Sequence, residues 1–179
     1  MRAFIAIDFP DEIVKEIARV QGVLGNYKFT GKVTELENLH LTLKFLGEVE
    51  EKKVEKIMER LRGMRFGEFE AKLAEIGTFS YDLNPRIVWV KVGGKGVFEL
   101  QKKIDEMMEK EGFAREERFM SHMTIARIKY VKDKEGFKDY VRNLGVKEIE
   151  FPVKSFKLMK SDLREMGPVY ALLEEFILS

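Results

Sequence analysis

The sequence predicts an α+β protein of two similar lobes, related by a pseudo-two-fold duplication, with antiparallel sheets lining a central cleft and helices outside. Three observations predict it. The chain has only two histidines, His40 and His122, which lie 82 residues apart. Each is followed two positions later by threonine, and the whole chain holds only Thr30, Thr34, Thr42, Thr78 and Thr124. Finally, one order of sequence patterns occurs twice at that offset: helix, His-x-Thr strand, helix, strand, strand. Mixed runs of this kind give layered α+β architectures. The reading is one bilobal domain over 1–179, with lobe one roughly 10–92 and lobe two roughly 94–178. Terminal strands are expected to be exchanged between the lobes.

Arg2 to Phe9 is rich in small and β-branched residues and reads as a strand. Pro10-Asp11-Glu12 opens a helix, with acids where the dipole favours them, and Ile13, Ile17 and Val20 keep helical spacing. Gly22 and Gly25 end it. Asn26 to Thr34 reads as a polar, basic connection. Glu37 to Gly47 is the first His-x-Thr strand. Glu50 to Arg62 is an amphipathic helix with Val54, Ile57, Met58 and Leu61 as its stripe. Strands follow at 69–79 and 86–92, joined by turn chemistry at Tyr81-Asp82-Leu83-Asn84-Pro85.

Gly93-Gly94-Lys95-Gly96 lacks the P-loop spacing and reads as a turn. A helix then runs from Val97 to about Glu111. The second His-x-Thr strand spans Phe119 to Ile128, and a helix covers 133–144. One strand is expected over 147–160, a turn at Gly167-Pro168, and a last strand over 169–178.

Composition narrows the chemistry. Hydrophobic residues make up 45% of the chain, enough for a core. Charged residues make up 35%, against about 25% in ordinary soluble domains. Cysteine is absent, which removes disulfides, thiol nucleophiles and Cys-ligated zinc. Two histidines are too few for a His-rich metal centre, so neither a metal nor a cofactor is expected. The net charge of +1 announces no nucleic-acid partner, and any RNA binding must come from a local patch. The start is too short and too soon charged for a signal peptide. No apolar run approaches a membrane span. A cytoplasmic monomer with no membrane partner is the expectation.

The motif has a physical meaning. Side chains i and i+2 share one face of a strand, so His40 points with Thr42, and His122 with Thr124. The intervening Leu39, Leu41 and Leu43, and Met123 and Ile125, face a core. Each copy pairs an imidazole that titrates near neutrality with a hydroxyl that can donate to an anion. Two copies facing each other place an acid and a base on opposite sides of a small anionic group. Lys44 shares the parity of His40 and Thr42, but also reads as a solvated edge charge. Strict alternation puts Arg127 on the Met123/Ile125 face, away from His122. It reaches the cleft only if the strand twists, bulges or ends there. Tyr81, Phe79 and Trp89 are candidates to stack a base, with Phe79 and Trp89 assigned rather to core packing.

These residues resemble the two-histidine phosphoesterase superfamily, and within it the 2′-5′ RNA ligase-like RNA 2′,3′-cyclic phosphodiesterases of bacteria and archaea. The resemblance rests on Arg2-Ala3-Phe4-Ile5-Ala6-Ile7, on Glu37 to Gly47, on Ser121 to Arg127, and on Ser161-Asp162-Leu163 with Gly167-Pro168-Val169-Tyr170. Ser121 stands where the family often has proline. The resemblance implies metal-independent hydrolysis of a terminal RNA 2′,3′-cyclic phosphate to a 2′-phosphate, with a weak reversible 2′-5′ ligation. It implies His40 as proton donor, His122 as proton acceptor, and Thr42, Thr124 and Arg127 as phosphate-binding residues. The partner it implies is RNA with a cyclic phosphate end, such as tRNA fragments, or nucleotides. Two other readings stand beside it: an RNA-end-binding protein without turnover, and a related phosphodiesterase for another small cyclic phosphate.

Overall fold

The computed structural model describes all 179 residues. In chain order the strands are β1 (Arg2–Ile7), β2 (Thr30–Val33), β3 (Leu41–Glu48), β4 (Phe69–Tyr81), β5 (Asn84–Gly93), β6 (His122–Tyr130), β7 (Glu150–Val153), β8 (Ser155–Arg164) and β9 (Gly167–Ile177). The helices are α1 (Asp11–Leu24), α2 (Glu51–Arg62), α3 (Lys95–Lys110) and α4 (Lys134–Arg142), with a short 3-10 turn at Leu36–Asn38. The chain is α+β, with two antiparallel sheets. One has the strand order β3-β1-β8-β9, the other β2-β6-β5-β4-β7.

The two sheets follow a similar plan. Each histidine strand has an inner neighbour, β1 beside β3 and β5 beside β6. Beyond that neighbour, β8 pairs with β1, and β4 pairs with β5. In the sheets β5 is thus the counterpart of β1, whereas the sequence offset lays 87–92 over 169–174. Alternation hides this, because β5 and β9 are both regular strands.

Three elements differ from expectation. The stretch Glu37 to Gly47 opens in the 3-10 turn and becomes a strand only at Leu41. The single strand expected over 147–160 is two strands that part at Lys154. β7 pairs with β4 in one sheet, and β8 pairs with β1 in the other. The polar stretch Asn26–Thr34 contains β2, which is wholly exposed and is defined only by its pairing with β6. Gly31 makes that pairing possible, because a Cβ there would run into the Arg127 carbonyl oxygen and the Ile128 backbone.

The core is continuous across both sheets. Ile13, Ile17, Val20 and Leu24 of α1 and Val97, Leu100, Ile104 and Met108 of α3 are buried in it, as their helical spacing requires. Alternate residues Val88, Val90 and Val92 of β5 are also buried, so the other face of that strand is left for the cleft. Asp133 caps α4, its side chain accepting from the Gly136 N–H at 3.0 Å, a bond typical of helix N-termini.

Candidate active site

His40 lies between the 3-10 turn and β3, and His122 is the first residue of β6. The two strands belong to different sheets, yet both histidines line the same cleft of about 460 Å³. Thr42, Thr124 and Arg127 line it too, with Phe4, Asn38, Phe45 and Tyr170. The five residues singled out in the sequence are therefore brought together in one cavity.

Arg127 arrives there through a bulge. Thr124 and Ala126 of β6 face adjacent residues of β5, Trp89 and Val88, so Ile125 is an extra residue. A bulge of this kind reverses the alternation beyond it. Ile125 and Ala126 are both buried, and Arg127 turns outward into the cleft. The first motif has the same device at the same place. Thr42 and Lys44 face the adjacent Ala6 and Ile5, and Leu43 is the extra residue. Phe45 consequently joins the cleft, and Lys44 turns inward.

Lys44 is therefore neither a cleft residue nor a solvated edge charge. It is 5% exposed, and its Nζ donates to Asp105 Oδ1 and to the Ala114 carbonyl, both at 2.5 Å.

Both bulges are secured by a buried glutamine. Gln21 of α1 donates to the Ile125 carbonyl at 3.0 Å and to the Thr34 carbonyl at 2.8 Å. The Thr34 N–H also donates to the Ile125 carbonyl, at 2.9 Å. Gln101 of α3 points at the Leu43 carbonyl, at a longer 3.5 Å. A buried carbonyl needs a donor: Gln101 reaches toward the Leu43 carbonyl, and Gln21 gives the Ile125 carbonyl a second donor beside the Thr34 N–H. The sequence does carry a signal for these two residues: each is a polar side chain inside the apolar stripe of its helix.

The two imidazoles are held differently. His40 Nδ1 lies 2.7 Å from the Asn38 carbonyl, and its Nε2 lies 3.0 Å from Thr42 Oγ1. A carbonyl only accepts, so Nδ1 carries a proton and Nε2 is the nitrogen that exchanges one. Phe4 and Tyr170 pack on the ring, with centroids 5.0 and 5.2 Å away. His122 Nδ1, in contrast, is buried with no hydrogen-bond partner. Its ring lies parallel to Trp89, with centroids 4.0 Å apart, and tilted against Phe79 at 5.2 Å. Trp89 and Phe79 thus pack against a histidine on the cleft face of their sheet and not in the main core.

Burial pulls His40 below the ordinary histidine value; the Asn38 carbonyl works against that, and the Arg127 charge adds to it. Burial also lowers His122, helped by Lys91 and opposed by Glu75. Burial raises the Tyr170 phenol, with Arg127 opposing. Ser121 is buried, and its hydroxyl donates to the Val92 carbonyl at 2.5 Å, so the residue before the second histidine is satisfied without being proline. No group of three or more histidine or carboxylate side chains is arranged to hold a metal ion. No helix is long and apolar enough to cross a membrane.

The model of the family described as LigT-like phosphoesterase matches residues 7–89 and 91–170. The chain belongs to that family. A Methanocaldococcus jannaschii protein named RNA 2′,3′-cyclic phosphodiesterase is 37% identical, over 98% of this chain and 100% of its own. A Thermotoga maritima protein of the same name is 35% identical, over 98% of this chain and 94% of its own. Among solved structures, one from Thermus thermophilus superposes with a TM-score of 0.85 at 27% identity, covering 99% of this chain and 98% of that one. Escherichia coli LigT complexed with 3′-AMP superposes with a TM-score of 0.77 at 25% identity, with the same coverage. These superpositions show that the chain, with its two antiparallel sheets, shares its fold with those structures.

Proposed function

We propose that this LigT-like phosphoesterase hydrolyses RNA 2′,3′-cyclic phosphate ends to 2′-phosphates, with one histidine as acid and the other as base and no metal. The observation that supports it most is the unequal setting of two imidazoles in one cleft. The Asn38 carbonyl favours the imidazolium form of His40. The unpartnered, buried Nδ1 of His122 favours its neutral form.

The reaction follows from those settings. Water attacks phosphorus and gives up its proton to His122 Nε2. The P–O3′ bond breaks, and His40 Nε2 delivers its proton to the departing O3′. The phosphate stays on O2′. Thr42, Thr124 and Arg127 hold its anionic oxygens, Thr42 turning its hydroxyl from His40 to the phosphate. A ribose 5′-hydroxyl in place of water gives a 2′-5′ linkage by the same proton transfers, and the reverse step cleaves it. Turnover of an RNA oligonucleotide with a terminal cyclic phosphate, against the matching mononucleotide, is the test. RNA turned over preferentially is the expected result. Binding without turnover would sink the enzyme reading, and a mononucleotide preference would move the substrate class.

Three results are expected. Thr42→Ala and Thr124→Ala should each lower kcat/KM about tenfold to a hundredfold, less than loss of either histidine. A hydrogen bond to a charged group is worth about 1.5–3 kcal/mol, and each 1.36 kcal/mol is tenfold in rate. Steady-state kinetics on the folded variants decide this, and threonine variants as inactive as histidine variants would overturn the division of roles.

The second expectation concerns pH. Activity needs His40 protonated and His122 neutral, which gives a bell. Both groups lie below the ordinary value of 6.5 in the free protein. The kcat/KM maximum should therefore fall on the acid side of 6.5. Bound phosphate favours imidazolium, so the kcat profile should sit higher. A kcat/KM maximum clearly above 6.5 would contradict the assignment.

Third, EDTA should leave the rate unchanged. No three histidine or carboxylate side chains are grouped to hold a metal, short of the three or four ligands that zinc takes. Loss of activity to the chelator with recovery on adding one divalent ion would contradict this.

A further inference from the structure

We infer that Trp89 is the positioning residue of the base: its indole holds the His122 ring and stabilises the imidazolium through its π face, where His40 relies on a hydrogen bond. The inference rests on the reading of His122 as the base and extends it to a residue outside the motif.

Four observations carry it. The His122 and Trp89 rings are parallel within 2°, with centroids 4.0 Å apart. Phe79 packs on both rings, at 5.2 Å from His122 and 5.5 Å from Trp89. His122 Nδ1 is buried and unpartnered, so no hydrogen bond fixes the ring's rotation, and the aromatic stack does so instead. Gly77 completes the platform. It pairs with Trp89 across β4 and β5, and a Cβ at that position would collide with the indole ring. The sheet leaves out one side chain so that the indole can lie flat.

The chemistry requires such a partner. For Nε2 to take a proton from water, Nδ1 must already carry one, and that buried N–H has no acceptor. The resulting cation is partly desolvated. Besides the Glu75 charge and bound phosphate, an aromatic face in direct contact with the ring stabilises it, and tryptophan has the strongest one. Other charges bear on the same ring. Lys91 of β5 and Glu75 of β4 form an ion pair at 3.5 Å, and act on His122 in opposite directions. Arg127 lies on the same strand, and His40, Arg2, Lys32, Glu35 and Tyr170 line the rest of the cleft.

Trp89 is the only tryptophan in the chain, so the protein carries its own reporter. Protonated imidazole quenches indole emission on contact, and neutral imidazole does so much less. Emission of the unmodified protein should fall in one step as pH drops through the His122 titration. The step should vanish in His122→Asn and persist in His40→Asn.

In kinetics, Trp89→Leu should lower kcat about tenfold with KM within about twofold, and move the acid limb of kcat/KM to lower pH by about one unit at most. Trp89→Phe, which keeps a π face, should retain most of the activity. A step that survives His122→Asn, or the absence of any step, overturns the stack. Equal losses in Trp89→Leu and Trp89→Phe, or no loss in either, overturn the positioning role. If the step depends on His122 but its midpoint departs from the acid limb, the base assignment fails and the stack stands.

Discussion

His40→Ala and His122→Ala are each expected to cut kcat by about 10²–10⁴-fold, the usual worth of one positioned acid or base. Without His40, O3′ must leave as an alkoxide. Without His122, neutral water must attack unaided. Neither change should unfold the protein. Both rings are only partly buried, both face the cleft, and neither belongs to the hydrophobic core. Initial rates on a nucleoside 2′,3′-cyclic phosphate, with thermal melts of the same samples, check the expectation. A loss under tenfold in either folded variant would remove that histidine from proton transfer.

Asp105→Ala is expected to destabilise the fold by about 3–5 kcal/mol, the cost of leaving a buried charge without its partner. Lys44 and Asp105 are both 5% exposed and form the chain's most buried ion pair, at 2.5 Å. Asp105 also accepts the Glu116 N–H through both oxygens, at 3.2 and 3.0 Å. Removing it strands Lys44 with only the Ala114 carbonyl. Lys44→Met should cost distinctly less. Asp105 would keep the Glu116 N–H, with Arg115 3.9 Å away, and methionine fills the space of the lysine stem. Denaturant titrations of both variants test the asymmetry. Equal losses would mean that the packing of the pair, and not its charge, matters.

The motifs were legible because rare residues repeated. Two histidines and five threonines leave little room for coincidence, and the period of two assigns His40, Thr42, His122 and Thr124 to cleft faces. The same rule fails one step later. The bulges at Leu43 and Ile125 place Phe45 and Arg127 in the cleft and bury Lys44. A bulge has no residue of its own that marks it in these strands. Its trace lies elsewhere, in Gln21 and Gln101, each a polar residue on a buried helix face.

Long-range pairing explains the remaining differences. β2 is too short and polar to carry a pattern, and only β6 makes it a strand. Lys154 moves the chain from one sheet to the other without a turn signal. Trp89 reads as core from hydrophobicity alone, and only the register of β5 against β6 brings it beside His122.

The assignment of acid and base is tested most directly with a cyclic phosphate analogue whose 3′ leaving group is so acidic that it departs without a proton. On that substrate His40→Ala should recover most of its lost rate, because the acid is no longer needed. His122→Ala should recover almost none, because water still needs a base. Recovery of His122→Ala instead would reverse the roles, and recovery of neither would mean that the histidines bind phosphate without transferring protons.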